Sequence, residues 1–470
     1  MNAIGRGLAT LCACTLIAAC ADGKPAMSAE CIKVVDESGE VGDACLPVSP
    51  DAGRVDLAKP TFGNPTSITN PLHPTSQVQQ TVYGGHVDGK PFRTEVSLLP
   101  GVKPTVWQGK SVNTAIIQYV AYLDGRIHEV AIDWYAQADD GSVWYFGEDV
   151  FNYEDGKVAD TKGTWAAGDT TPAAMIMPAN PQVGDVYRPE NAPGIAFEEV
   201  RVAKVDQDVA GPSGNIRGAI EVNELHMDGT REGKVFAPGY GEFSTGSPGG
   251  DLEAASLASP TDRRQGAAPG EFAALSKAVG DVSEAAAGED ATRFQQAVAN
   301  LNNAWNILCA KGIPPQMESQ MRVDIGALSS EDVQSAALRV VQNELDLRLL
   351  YEPVIDVDLA RLKLWTRQVP IDVAADDTGL VLADVAALDR VWERTRHGVD
   401  PSRSDGCRAA ESTQSRGRRR PGRGRPRGGC VDCGGRCTAH PLTDFLRVCS
   451  RWSGRGSSPA GRPACPTSPK

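Results

Sequence analysis

Five Asp-Gly pairs punctuate residues 81–257 of this chain: Asp88-Gly89, Asp124-Gly125, Asp140-Gly141, Asp155-Gly156 and Asp228-Gly229. Each stands between runs rich in β-branched and aromatic residues. Asp-Gly accepts the positive φ angles of tight hairpin turns, so each pair predicts two antiparallel neighbours. Parallel strands need long crossovers, which this spacing does not provide. Residues 81–258 are therefore expected to form an antiparallel β-meander of roughly eight to eleven strands, curved around an apolar face and barrel-like. Within 128–134, Val130, Ile132 and Trp134 point one way, and Glu129, Ala131 and Asp133 point the other.

The period then changes. Residues 259–270 read as a linker, and residues 271–399 as an α-helical bundle. Helices are expected near 271–287, 290–311, 315–328, 331–350, 356–375 and 379–397. Gly288-Glu289-Asp290, Ser329-Ser330-Glu331-Asp332 and Ala375-Asp376-Asp377 supply N-caps or first-turn acids. Pro370 falls inside the fifth helix and should kink it. A haem or di-iron bundle needs facing ligands. His397 is the one histidine in this region, so no cofactor is expected. The whole chain thus reads as multidomain, α and β.

The two ends carry different messages. Arg6 precedes a short apolar run, Leu8 to Ala19, too short to span a bilayer. Its end, Ile17-Ala18-Ala19-Cys20, resembles the bacterial lipobox. That resemblance implies a signal peptide over 1–19, acyl chains such as palmitate on Cys20, and an exported protein lipid-anchored to the bacterial cell envelope membrane. No other stretch is apolar enough to suggest a span. Residues 20–80, dense in Pro, Gly, Ser, Asn and Thr, read as a tether. Cys31 and Cys45 within it are expected to form a disulfide in an oxidising compartment, with a metal pair as the alternative.

Net charge is -24 over residues 1–400 and +11 over 401–470. An Arg-rich nucleic-acid arm would fit the charge but conflicts with export, so no nucleic-acid partner is expected. Cys430, Cys433, Cys437 and His440 suggest zinc, but the segment lacks an apolar period to build a site around. Its Arg, Gly, Pro, Ser and Cys match a GC-rich gene read out of frame. Residues 400–470 are expected to be a disordered, frameshifted tail.

Few catalytic motifs survive scrutiny. Gly84 to Lys90 approaches P-loop spacing, but Pro91 follows where Ser or Thr is needed, and a strand follows where a helix is needed. There is no Gly-x-Ser-x-Gly elbow and no His-Glu-x-x-His helix. Asp133, Glu148 and Asp149 are the densest acids beside aromatics. They are candidates for a cation or polar ligand, or for a hydrolase, with solvated strand ends as the plainer account. Met175 and Met177, with His226 and Met227, are candidate soft-metal ligands; methionine filling a core is the alternative.

Asp133-Trp134-Tyr135-Ala136-Gln137 through Val143-Trp144-Tyr145-Phe146-Gly147-Glu148-Asp149 resembles a family of uncharacterised bacterial secreted proteins. So do Ala174-Met175-Ile176-Met177-Pro178-Ala179, Val183-Gly184-Asp185 and Ala237-Pro238-Gly239-Tyr240-Gly241. The resemblance implies no activity. The sequence favours an anchored, non-catalytic binding or scaffold module for a small ligand or an envelope protein. Its rivals are a carrier holding a lipid or other apolar ligand in the sheet's concavity, and a carboxylate hydrolase.

Overall fold

The computed structural model describes residues 31–397 apart from 37, 169, 247–249 and 330–331. The signal peptide, Cys20 and the charged tail lie outside the described residues. A hairpin of β1 (Lys33–Val35) and β2 (Val41–Cys45) comes first. The large sheet begins with β3 (Gln80–Val87), β4 (Lys90–Leu98), β5 (Lys103–Trp107), β6 (Lys110–Leu123), β7 (Arg126–Gln137) and β8 (Val143–Glu154). It continues with β9 (Lys157–Asp160), β10 (Trp165–Ala166), β11 (Ala174–Met177) and β12 (Val186–Ala192). The last strands are β13 (Ala196–Gly211), β14 (Gly214–His226), β15 (Arg231–Ala237), β16 (Gly241–Gly246) and β17 (Leu252–Ser259).

The large sheet has 15 strands, more than the sequence suggested, and its order is β10-β8-β7-β6-β4-β3-β17-β16-β15-β14-β13-β12, with β5, β9 and β11 added on β6 and β8. It is an antiparallel meander, as expected, but it is not a closed barrel: β10 and β12 end the path. The seam is long-range. β3 pairs with β17, as in Tyr83 opposite Ala255.

The turns obey the Asp-Gly chemistry in two ways. Asp88-Gly89, Asp124-Gly125 and Asp155-Gly156 have positive φ at both residues, as type I′ turns require. In the other two pairs only the glycine is positive. Gly125 sits at φ 75°. Gly125→Val is expected to cost at least about 1 kcal/mol, because a β-branched residue is strained there. A chemical-denaturation midpoint checks this, and an unchanged midpoint would contradict the turn.

Six helices follow: α1 (Gly270–Ala286), α2 (Ala291–Cys309), α3 (Pro315–Ala327), α4 (Val333–Arg348), α5 (Val354–Ala374) and α6 (Thr378–Thr395). Asp290, Asp332 and Asp377 cap α2, α4 and α6 through their side chains. Pro370 lies inside α5. Among the described residues, no helix is long and apolar enough to cross a membrane.

The helices are docked on the sheet. Val82 and Leu257 join the helical core around Leu275, Leu301 and Trp305. Val120, Ile127 and Val130 pack against Ala383 and Ala387 of α6. At the β8–β9 turn, a Cβ on Gly156 would stand 2.2 Å from the Gly379 carbonyl oxygen, so only glycine lets α6 approach. Ionic side chains complete the junction. Glu95 of β4, 1% exposed, meets Arg361 at 3.3 Å, Arg93 at 2.8 Å, and Arg394. Asp358 binds Arg361 at 2.6 Å and Arg394 at 2.8 Å, and Asp346 binds Arg361 at 2.6 Å and Arg93 at 2.7 Å. Three guanidinium groups thus face three carboxylates.

Residues 31–79, read as part of a tether, are also packed. Ile32 and Leu46 are buried against Phe197 and Leu225, and Cys31 and Cys45 are joined in a disulfide with Cα atoms 5.2 Å apart. Ile68 and Leu72 enter the core of the sheet. Asn70 binds the carbonyls of Gly141 and Pro178, each at 3.0 Å.

Candidate functional site

The helices pack on one face of the sheet at β3, β4, β6, β7 and β17; the opposite face lines a cavity of about 190 Å³. Strand alternation decides what lines it. On β7, Val130 and Ile132 turn to α6, so Asp133 and Tyr135 turn to the cavity. The same alternation sends Glu95 to the helices and Val96 to the cavity. Val78, Val96, Leu98, Ile117 and Ile176 give the concavity apolar lining, but ionisable groups share it. Its wall carries Asp133, Glu242 and Glu253 beside Tyr83, Tyr119, Tyr135, Tyr240 and Phe236.

A bulge enlarges the acidic group. Asp133 pairs with Glu148 and Tyr135 with Tyr145, so β8 holds one more residue than β7 between these pairs. Gly147 absorbs it at φ 119°, and a Cβ there would stand 2.3 Å from the Trp165 carbonyl oxygen. Glu148 and Tyr145 consequently share a face. The Tyr145 hydroxyl donates to Asp133 Oδ1 at 2.8 Å, and its ring stacks on Tyr135 with centroids 4.6 Å apart.

These acids are crowded and dry. Burial pushes Asp133 up to about 7 and Glu253 up to about 7. Burial, then neighbouring Glu190, pushes Glu148 well above the usual carboxylate range. Burial, then Glu198, pushes Glu224 up to about 8. Two cations lie among them. Lys234 Nζ is 2.5 Å from Glu224 and 3.8 Å from both Glu232 and Glu242. His226 stands 3.5 Å from Glu198 and 3.3 Å from Glu232. Burial opposes its charge, but hydrogen bonds to these carboxylates prevail and push it up to about 10. His73, which also lines the cavity, is held neutral: burial lowers it to about 4.

The residues singled out from sequence divide accordingly. Asp133 and Glu148 come together on the cavity side, both buried rather than solvated strand ends. Asp149 is exposed and does not join them. Met175 and Met177 are buried in the main sheet core. Met227 packs with Ile32 and Leu46 in a separate cluster, so the four proposed soft ligands do not converge. His226 instead shares its surroundings with Glu198 and Glu224, whose ligand atoms lie within 4.8 Å of one another. That is a hard, carboxylate-rich set, and Lys234 already holds Glu224. Sequence reading missed Tyr83, Tyr119, Glu242 and Glu253. Position parity is the signal that could have found them, once the seam between β3 and β17 was known.

No family model, curated protein or solved structure matches this chain.

Proposed function

We propose that this protein is an exported, lipid-anchored and non-catalytic binding module whose sheet cavity takes a small organic ammonium ion. The carrying observation is the cavity wall, where four tyrosines and a phenylalanine stand with Asp133, Glu242 and Glu253. Aromatic faces attract a cation through their quadrupole, and carboxylates supply counter-charge. The ordinary alternative, a carrier of lipid or another apolar ligand, calls for a larger pocket and gains nothing from ionisable groups in its wall. Three carboxylates in a wall of about 190 Å³ weigh against it. A hydrolase using Asp133, Glu148 or Asp149 calls for two of these carboxylates facing one cleft. Asp133 lines the cavity, whereas Glu148 does not and is 8% exposed.

Calorimetric titration with choline and with its neutral isostere 3,3-dimethyl-1-butanol tests the reading. Choline is expected to bind at least about tenfold more tightly, the effect of a desolvated cation–π contact. Equal affinity would favour the apolar carrier, and no choline binding would end the ammonium reading.

Export and anchoring rest on Ile17-Ala18-Ala19-Cys20. Several acyl chains hold a protein at a membrane far better than one. Cys20→Ala is expected to move the protein from the membrane to the soluble fraction on cell fractionation. A variant that still sediments with membranes would contradict the lipid anchor.

A further inference from the structure

Tyr145 does not line the acidic cavity, yet it touches two groups that do. Its hydroxyl donates to Asp133 Oδ1 at 2.8 Å, and its ring stacks on Tyr135. Strand register explains both contacts. Tyr145 stands opposite Tyr135 of β7, and Asp133 lies two residues before Tyr135, on the same face. Trp165 of β10 meets the Tyr145 ring edge-on, with centroids 5.2 Å apart and planes at 78°. Tyr135 in turn meets His73 edge-on at 4.8 Å. Four rings thus run in contact from β10 to the cavity wall, and Tyr145, 5% exposed, sits within that row. One residue outside the cavity holds both a carboxylate and an aromatic face inside it.

The hydrogen bond has an electrostatic consequence. Burial, Glu129 of the same strand and Glu190 of β12 favour a proton on Asp133, whereas the Tyr145 hydroxyl favours the charged form. Glu148 stands beside it on β8, β6 places uncharged Ile117 opposite, and Glu242, Glu253 and His73 share its cavity. Tyr145 remains a donor throughout the neutral range, because burial and then Asp133 hold its own proton well above the usual tyrosine value.

We propose that Tyr145 is the positioning residue of the acidic cavity, fixing the Asp133 carboxylate and the Tyr135 ring where a cation meets them. The role rests on the ammonium reading, and Tyr145 acts through those two groups rather than on the ligand.

Choline affinity of Tyr145→Phe, measured by calorimetry from pH 5 to 9, tests it. The variant keeps the ring on Tyr135 and loses only the hydroxyl. Without that donor Asp133 keeps its proton to higher pH, so the pH at which affinity levels off should rise by about half to one unit. At pH 6 the variant should bind choline about three- to tenfold more weakly, and at pH 9 within about twofold of the natural protein. Beside Asp133→Asn the hydroxyl has no carboxylate to orient, and adding Tyr145→Phe should change affinity by less than about twofold. Denaturation midpoints show that each variant is folded. A natural protein that binds no choline at any pH ends the ammonium reading and this role with it. With choline binding established, the role alone is overturned by unchanged affinity of Tyr145→Phe at pH 6. It is equally overturned by a loss of the same factor at pH 6 and pH 9, or by a loss as large beside Asp133→Asn as in the natural protein.

Discussion

Glu95→Ala is expected to destabilise the protein by about 3–5 kcal/mol, because it leaves buried guanidinium groups without compensation. Glu95 is 1% exposed, Arg361 is fully buried, and Arg394 is 8% exposed. The carboxylate touches Arg93, Arg361 and Arg394 at once. Removing it leaves Asp346 and Asp358 to balance three cations. The loss should fall at the junction of β4 with α5 and α6, so amide exchange in both helices should accelerate. Burial works against ionised Glu95, but Arg361, Arg394 and Arg93 prevail and hold it far below its ordinary value of 4.5. A lowered pKa means the contribution is fully present above that ordinary value and lost only in stronger acid. Guanidinium denaturation at neutral pH measures the cost. A change under about 1 kcal/mol, the range of surface pairs, would mean that the junction is solvated.

The buried acids with raised values, Asp133 and Glu253 in the cavity and Glu224 beside Lys234, act in the opposite sense. Asp133 rises from 3.8 to about 7, Glu253 from 4.5 to about 7, and Glu224 from 4.5 to about 8. For a raised pKa, the folded state binds the proton more tightly than the unfolded chain. Its stability is fully present below the unfolded value and is lost as pH rises through the folded value. Stability should therefore decline between about pH 4 and 8, a window above the one in which Glu95 is lost. Asp133→Asn keeps an acceptor for Tyr145 and cannot ionise. It is expected to be about 1–3 kcal/mol more stable than the natural protein at pH 8 and nearly equal to it at pH 4. Denaturation at the two pH values checks both statements, and a pH-independent difference would contradict a buried, protonated Asp133.

Much of the architecture was legible because its signals are local. Asp88, Asp124 and Asp155 adopt the positive φ that Asp-Gly foretells. The three acidic caps at Asp290, Asp332 and Asp377 start their helices. Gln108-Gly109 makes the same double-positive turn, yet glutamine carries no turn preference to announce it. The site was harder to read for a physical reason. Acids alternating with apolar residues usually mean that one face meets water, so Asp133 and Glu148 looked like solvated strand ends. At β7 helix α6 packs on one face and the acidic cavity lies on the other, so Asp133 and its neighbour Glu148 are both buried. The bulge at Gly147 then shifts the parity of β8, bringing Glu148 beside Asp133 and leaving Asp149 outside. Arg93-Thr94-Glu95 reads as ordinary strand polarity. Its partners on α4, α5 and α6 lie more than 200 residues away, beyond any local pattern.

Choline affinity measured by calorimetry across pH 5 to 9 tests the central claim most directly. Asp133 and Glu253 line the cavity and hold protons to about pH 7. A cation must displace such a proton to gain the carboxylate. Affinity should therefore rise up to about tenfold per pH unit below 7 for each proton displaced, then level off above it. Protons should be released to the buffer on binding at pH 6. Affinity that stays flat across this range, with no proton release, would contradict the account of the cavity as a protonated carboxylate site for an organic cation.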